Sequence, residues 1–144
     1  MTLPLGPHVG YDGRMRVEEE IRYWIDLARY DLGVAGSLLK ARKYVYALFF
    51  GHLVIEKMLK AAFVKRHGMS PPPTHNLVRL AGDANIELSE EDRGFLRGLM
   101  EFNIEARYPR DAEKIRKICT KRFAEDILKR VRKWHRRLSA EIRS

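Results

Sequence analysis

Four ionisable residues interrupt residues 47–64 of the most apolar stretch of the chain, and their spacing suggests chemistry. His52, Glu56 and Lys60 follow one another at steps of four residues, so a helix places them on one face. Lys57 follows Glu56 directly. Lysines bind phosphate, and a carboxylate orients a lysine. We call Glu56, Lys57 and Lys60 the polar seam. It predicts one wall of a ligand cleft or dimer interface, and the alternative is an internal ion pair that holds two helices in register.

A second group of candidate residues, Arg107, Tyr108 and Arg110, lies just before a predicted helix N-terminus. Such an end attracts anions through its free N–H groups, and arginine adds a bidentate fork for phosphate. Tyr108 offers a ring for base stacking or a hydroxyl for a hydrogen bond. The alternative is a structural corner in which Arg107 pairs with Glu56 or Glu101 and Tyr108 fills a gap.

The histidines and the single cysteine give weaker signals. His75 follows Thr74 at the start of a predicted short helix, where an imidazole serves acid–base chemistry or contacts a ligand, or else only caps the helix. His52 is predicted to be a satisfied interior or interface group. No His or Cys pair has metal-ligand spacing, so no metal and no cofactor are expected. Cys119 is predicted to be a buried packing residue.

The charge balance indicates an acidic partner such as nucleic acid, a nucleotide or an acidic protein. The formal net charge is +9, and the sequence pI is about 9.9. From residue 111 to the end there are twelve Lys and Arg against five Asp and Glu, 12 − 5 = +7. This basic face could hold RNA through phosphate contacts, face solvent, or dock an acidic antitoxin. Its residues are Lys117, Lys121, Lys129, Arg132, Lys133 and Arg136.

The elements that must position these residues are helices. Residues 1–15 are predicted to form an N-terminal arm, and residues 16–144 a single helical domain. Apolar spacing predicts helices over residues 16–41, 44–67, 75–83, 90–104 and 112–142, without strands. Glu18 to Glu20 are placed in the first turn of the first helix, and Thr74 and Ser89 are placed as N-caps. The fold is predicted to be all-α, an up-and-down bundle of four to five helices.

The ordered motifs resemble those of small prokaryotic HEPN-domain proteins. The chain carries YWIDLARYDLGVAGSLLKARKY, then ALFFGHLVIEKMLKA, then PPTHNLVRLA, and finally NIEARYP before the last helix. The second, third and fourth of these motifs are similar, in that order, to the family's A-F-x6-E-K-x-L-K-A core, its P-x-T-H-x-L-x-x-L element and its A-R-Y-P corner. The resemblance covers about residues 17–140.

This resemblance implies a dimeric bundle of four to five helices that acts beside an MNT-type nucleotidyltransferase as a toxin–antitoxin or nucleotide-binding pair. Other branches of the family are metal-independent endoribonucleases, in which an Arg is followed after four to six residues by a His. Here the matching residue is Arg107, and positions 111 to 114 hold no His. The spacing recurs between Arg130 and His135, but deep inside the predicted last helix, where we interpret it as a chance match.

Three hypotheses follow. In the first, a cytoplasmic homodimer binds a nucleotide or RNA phosphate through Glu56, Lys57, Lys60, His75, Arg107 and Arg110, and works with the nucleotidyltransferase. In the second, the chain is an endoribonuclease toxin in which Arg107 acts with Tyr108 or His75. In the third, it is a structural partner subunit without a ligand. The single cysteine and the absence of a signal sequence and of a membrane-length apolar stretch favour an intracellular setting.

Overall fold

The computed structural model describes the backbone of residues 14–103 and 109–144, and the side chains of residues 16–103 and 113–144. Every regular element within these ranges is a helix, which confirms the all-α prediction. Six helices are present where five were predicted. They are α1 (Arg14–Lys40), α2 (Tyr44–His67), α3 (Leu77–Asp83), α4 (Glu90–Met100), α5 (Pro109–Ile118) and α6 (Lys121–Arg143).

Helix α2 is the centre of the bundle and packs against each of the other five helices. It is apolar on nearly every face, so its stability comes from burial on all sides. The helix ends where predicted, because Gly68 adopts the left-handed conformation at φ 65° and its N–H donates to the carbonyl of Val64. A Cβ atom on Gly51 would lie 3.1 Å from Leu128 and 3.3 Å from Val131, so this glycine lets α6 approach the α2 backbone closely.

Helix α1 begins at Arg14, two residues earlier than predicted, and this moves its acidic residues out of the first turn. The prediction that Glu18 to Glu20 complement the helix dipole is therefore wrong. Glu20 instead points into the bundle and is 1% exposed. Helices α1 and α2 share the largest helix–helix interface of the fold. Arg42, at φ 63°, makes the tight reversal between them.

The connection 68–76 crosses the bundle surface before α3 begins. The short helix was predicted to start at His75 with Thr74 as its cap, and this prediction is wrong by two residues. Asn76 is the N-cap, and its side chain accepts a hydrogen bond from the Arg79 N–H at 3.0 Å. His75 therefore lies outside the helix, so the helical backbone does not set the direction of its side chain. The predicted Ser89–Asp92 capping box of α4 is confirmed.

The predicted last helix is two helices, because residues 119 and 120 interrupt it. The Thr120 side chain accepts a hydrogen bond from the Phe123 N–H at 3.1 Å and so begins α6 anew. Cys119 lies at this break and is buried, as predicted. Burial raises the pKa of its thiol to about 11, so it stays protonated.

Candidate functional site

The Glu56 carboxylate is the centre of the candidate site. Glu56 is 4% exposed, and its Oε2 accepts a hydrogen bond from Lys60 Nζ at 3.0 Å. The Nδ1 atom of His75 lies 3.0 Å from both Glu56 oxygens. A carboxylate only accepts hydrogen bonds, so Nδ1 carries the proton in this contact. The His75 side chain is 63% exposed, so a buried carboxylate orients an imidazole that stands at the surface.

Lys60 also contacts α1. Its Nζ lies 5.2 Å from the centre of the Trp24 ring, within the range of a cation–π interaction. The Trp24 Nε1 atom is buried and has no hydrogen-bond partner among the described residues. The lysine is therefore held between the Glu56 carboxylate and the Trp24 ring, and an indole donor is left unsatisfied beside it.

Lys57, the other lysine of the polar seam, reaches across to α1 and donates to the carboxylate of Asp31. Both side chains are largely buried. This is the inter-helix ion pair that the sequence allowed as an alternative. Each lysine of the seam is thus matched by a carboxylate, and the seam together with Asp31 carries no net charge. Any further charge for binding an anion must come from neighbouring residues.

His52 is fully buried one turn before Glu56, so the prediction that it is an interior or interface group is confirmed, whereas its predicted hydrogen-bond satisfaction is not seen among the described residues. No hydrogen bond of good geometry reaches either ring nitrogen from the described residues, although the His75 backbone lies close to the ring. The nearest contact joins Nδ1 to Glu56 Oε1 at 3.9 Å, which is too long for a hydrogen bond. Burial lowers the pKa of His52, although the charge of Glu56 opposes this shift. The imidazole is therefore neutral at pH 7, and the 3.9 Å contact is not an ion pair.

Glu20 is a second buried carboxyl group, which the sequence reading missed. Its Oε2 accepts a hydrogen bond from Ser70 Oγ at 3.4 Å, whereas Oε1 is buried without a described partner. Burial raises the pKa of Glu20 to about 7, against which the Ser70 contact acts only weakly. Ser70 and His75 belong to the same connection, so buried carboxyl groups of α1 and α2 hold this segment at two points.

A sequence signal for the α1 residues existed. Glu20, Trp24 and Asp31 are separated by four and seven residues, so they lie on one helical face. That face borders the apolar stripe and packs on α2. Two residues of this row, Asp31 and Trp24, are the α1 partners of the seam lysines.

The Arg107 corner stays a prediction. Arg107 and Tyr108 lie outside the described residues, and the side chain of Arg110 lies outside them as well. The structure therefore brings together Glu56, Lys60 and His75 from the predicted site, whereas Lys57 pairs separately with Asp31. The proposal that Arg107, Tyr108 and Arg110 form the opposite wall is not tested by it.

The basic residues of α6 divide into two sets. Arg137 donates to Asp92 at 3.1 Å and to the Glu87 carbonyl at 2.6 Å, so it fastens α6 to α4. Arg130 lies over the Phe95 ring at 4.1 Å. The other set is exposed and has no acidic partner within 4.0 Å in the part of the chain that the structure describes: Lys121, Arg122, Lys129, Arg132, Lys133, Arg136 and Arg143.

Two other features are absent from residues 14–103 and 109–144. No group of three or more His, Cys, Asp or Glu side chains is arranged to hold a metal ion. None of the helices in these ranges is both long enough and apolar enough to cross a membrane.

The fold and site define an all-α bundle with a buried, charge-balanced polar seam that orients a surface histidine. The chain matches the HEPN domain over residues 21–140, which is most of its length, and it belongs to that family. Searches of curated proteins and of solved structures found no match to it. The family assignment confirms the resemblance seen in the sequence motifs.

Proposed function

We propose that this HEPN-domain protein binds the phosphate of a nucleotide or RNA at the surface above Glu56. The observation that supports this is the double hydrogen bonding of the buried Glu56 carboxylate to Lys60 and His75. It fixes an exposed imidazole and a nearby ammonium group in one place before any ligand arrives. Pre-organised donors of this kind bind a phosphate without a large ordering penalty.

The arginines of the 107–110 corner supply the net positive charge in this proposal. The seam and Asp31 together are neutral, because Lys57 pairs with Asp31 and Lys60 pairs with Glu56. A dianionic phosphate therefore needs at least one further cation, and Arg107 and Arg110 are the candidates that the sequence provides. Arginine suits this role because its planar fork meets two phosphate oxygens at once.

Titration of ATP, GTP and a short RNA against the wild-type protein, Arg107→Ala and His75→Ala tests this site. We expect both variants to bind at least tenfold more weakly, since each loses a charged or hydrogen-bonding contact worth about 1.5 kcal/mol or more. Arg79→Ala is the control, because Arg79 is an exposed arginine of α3 whose described ion-pair partner is Asp83. Equal affinity of all four proteins would overturn the site assignment.

A second candidate function is metal-independent RNA cleavage, and the Glu56–His75 contact favours it. With Nδ1 held by Glu56, the Nε2 atom of His75 is positioned to take the proton of a 2′-hydroxyl. The 2′-oxygen then attacks the neighbouring phosphorus, the bond from phosphorus to the 5′-oxygen breaks, and the 5′-oxygen takes a proton from water. The products are a 2′,3′-cyclic phosphate and a 5′-hydroxyl. The expected His after Arg107 is absent, so His75 would replace it from another element.

Incubation of the purified protein with total RNA in EDTA separates these two functions. Cleavage that yields cyclic-phosphate ends, and that is lost in both His75→Gln and Glu56→Gln, supports the nuclease. Intact RNA in the presence of protein that binds it supports the binding module.

A homodimer is also part of the proposal, and an apolar surface beside the seam supports it. Leu27 and Val34 lie one turn on either side of Asp31, and Leu53 lies one turn before Lys57; all three are half-buried. Tyr30 next to them is 73% exposed. A second copy would cover this surface and shield the Asp31–Lys57 pair. Light scattering after size exclusion should give a dimer for the wild type and a monomer for Leu53→Glu.

The partner in the proposal is an MNT-type nucleotidyltransferase encoded next to this chain, with which it forms a toxin–antitoxin-type pair. The charge of the protein supports an acidic partner or ligand but does not choose between them. Co-expression with the product of the adjacent open reading frame, followed by affinity purification, tests the pair. Tight association without any effect of nucleotides would instead support a structural partner subunit that has no ligand.

A further inference from the structure

Four exposed cations follow the boundary between α1 and α6, away from the Glu56 site. Lys129, Arg132 and Arg136 follow one another at steps of three and four residues on one exposed face of α6. Arg132 lies against α1, and Arg136 and the α1 residue Arg29 both act on His135. We call these four residues the cationic track. Residues 129 to 136 span about 10 Å at the rise of an α-helix, so the track is long enough to follow an extended phosphate backbone.

The α1 side of the track contains two glycines. On α1, Gly33 and Gly36 occupy the face between Arg29 and Lys40. A Cβ atom on Gly36 would lie 3.2 Å from Arg132 Nη2, so the guanidinium lies directly against the α1 backbone. Arg132 is also exposed, so its side chain is open to a ligand from solvent.

The positive charges of the track are not neutralised by the described protein. Asp26 is the one acidic partner, and it lies 3.9 Å from Arg29 with both side chains well exposed. His135 lies between the two helices, and burial together with the charges of Arg29 and Arg136 lowers its pKa. The His135 imidazole is therefore neutral at pH 7, and its Nε2 atom is buried without a described hydrogen-bond partner. An assembly of like charges that lacks counter-charges in the protein is stabilised by an external polyanion.

We propose that the cationic track binds the phosphate backbone of single-stranded RNA and leads it past the bundle. The choice of RNA as the polyanion rests on the proposed function, whereas the position of the track does not. Its contacts are to phosphates, so binding is independent of base sequence and depends strongly on salt.

The salt dependence gives the expected magnitude. Each phosphate contact to a single strand contributes about −0.7 to the slope of log K against log salt, so removal of two contacts lowers the slope by about 1.4. At about 0.1 M monovalent salt this is a roughly 25-fold loss of affinity.

The experiment measures fluorescence anisotropy of a labelled single-stranded RNA of about 12 nucleotides over a salt series. Arg132→Gln/Arg136→Gln should show the loss of affinity and of slope. The control Arg79→Gln/Arg97→Gln removes two charges from α3 and α4, and it should lose much less. Titration of ATP against the same proteins reports separately on the Glu56 site.

The outcomes separate the two proposals. RNA binding that is weakened in the track variant, with ATP binding unchanged, supports the track. If the track variant binds RNA more weakly and the wild type does not bind ATP, the result supports the track. The same result counts against the Glu56 site as a nucleotide site. Equal RNA affinity of the track variant and the control overturns the track. Wild type that binds ATP but not RNA overturns the track and leaves the proposed function standing.

Discussion

The Nδ1 atom of His75 lies 3.0 Å from both oxygens of Glu56, although the two residues are 19 positions apart and only one of them is in a helix. The contact joins the connection 68–76 to the most buried helix of the fold. Because of this contact, Glu56 accepts hydrogen bonds from both Lys60 and His75, and not from Lys60 alone. The geometry of the candidate site depends on this one carboxylate.

Removal of the Glu56 carboxylate should destabilise the fold, because it leaves the ammonium of Lys60 buried without its partner. We expect Glu56→Leu to lower the free energy of unfolding by about 3 kcal/mol. Addition of Lys60→Met should restore part of this loss, since the orphaned charge is removed too. Urea denaturation of the two single variants and the double variant measures the coupling. Losses that simply add would show that the pair is not energetically coupled.

The stability of the protein should depend on Glu20 between about pH 4.5 and pH 7. The folded-state pKa of Glu20 is raised from 4.5 to about 7, so the folded state holds a proton that the unfolded state releases. The free energy of unfolding therefore falls as the pH rises through this window, by up to about 3 kcal/mol for this group. Glu20→Gln should be more stable than the wild type at pH 8 and should lack this component.

Thermal unfolding at pH 5 and pH 8 measures the effect of Glu20. Glu19→Gln is the matched control, because Glu19 is the exposed neighbour on the same helix. The two variants should differ at pH 8 and converge at pH 5. A wild type and a Glu20→Gln variant with the same pH dependence would contradict the assignment.

Substitution of Gly51 should be costly, whereas substitution of Gly98 should not. A Cβ atom at Gly51 would lie 3.1 Å from Leu128, so Gly51→Ala forces α2 and α6 apart and lowers the free energy of unfolding by about 1–3 kcal/mol. Nothing lies within 4 Å of a Cβ atom at Gly98 in α4. Gly98→Ala should therefore stabilise the helix by up to about 1 kcal/mol. Chemical denaturation of both variants should show opposite signs.

The break between α5 and α6 should depend on the Thr120 hydroxyl. Thr120→Ala removes the acceptor for the Phe123 N–H and should lower the free energy of unfolding by about 1 kcal/mol. Thr120→Ser retains the oxygen and should be close to the wild type. Similar losses in both variants would indicate that the methyl group, and not the cap, matters at this position.

Much of the local structure could be predicted from neighbouring residues. The Gly68 cap and the Ser89–Asp92 box were predicted because their hydrogen bonds join atoms at most four residues apart. The break at Thr120 was missed, since the apolar spacing continues across it from Ile115 to Phe123. The start of α3 was placed two residues early, because Thr74 and Asn76 are both good caps and spacing does not choose between them.

The sequence by itself determined a buried central helix and the Glu56–Lys60 pair, since a spacing of four residues on a helix brings two side chains together whatever surrounds them. Only the tertiary structure decided that His75 completes this pair, that Asp31 takes Lys57, and that Glu20 is buried. These contacts join α1, α2 and the connection 68–76. Their geometry depends on how the helices pack and rotate against one another. The spacing of residues along the chain does not specify this packing.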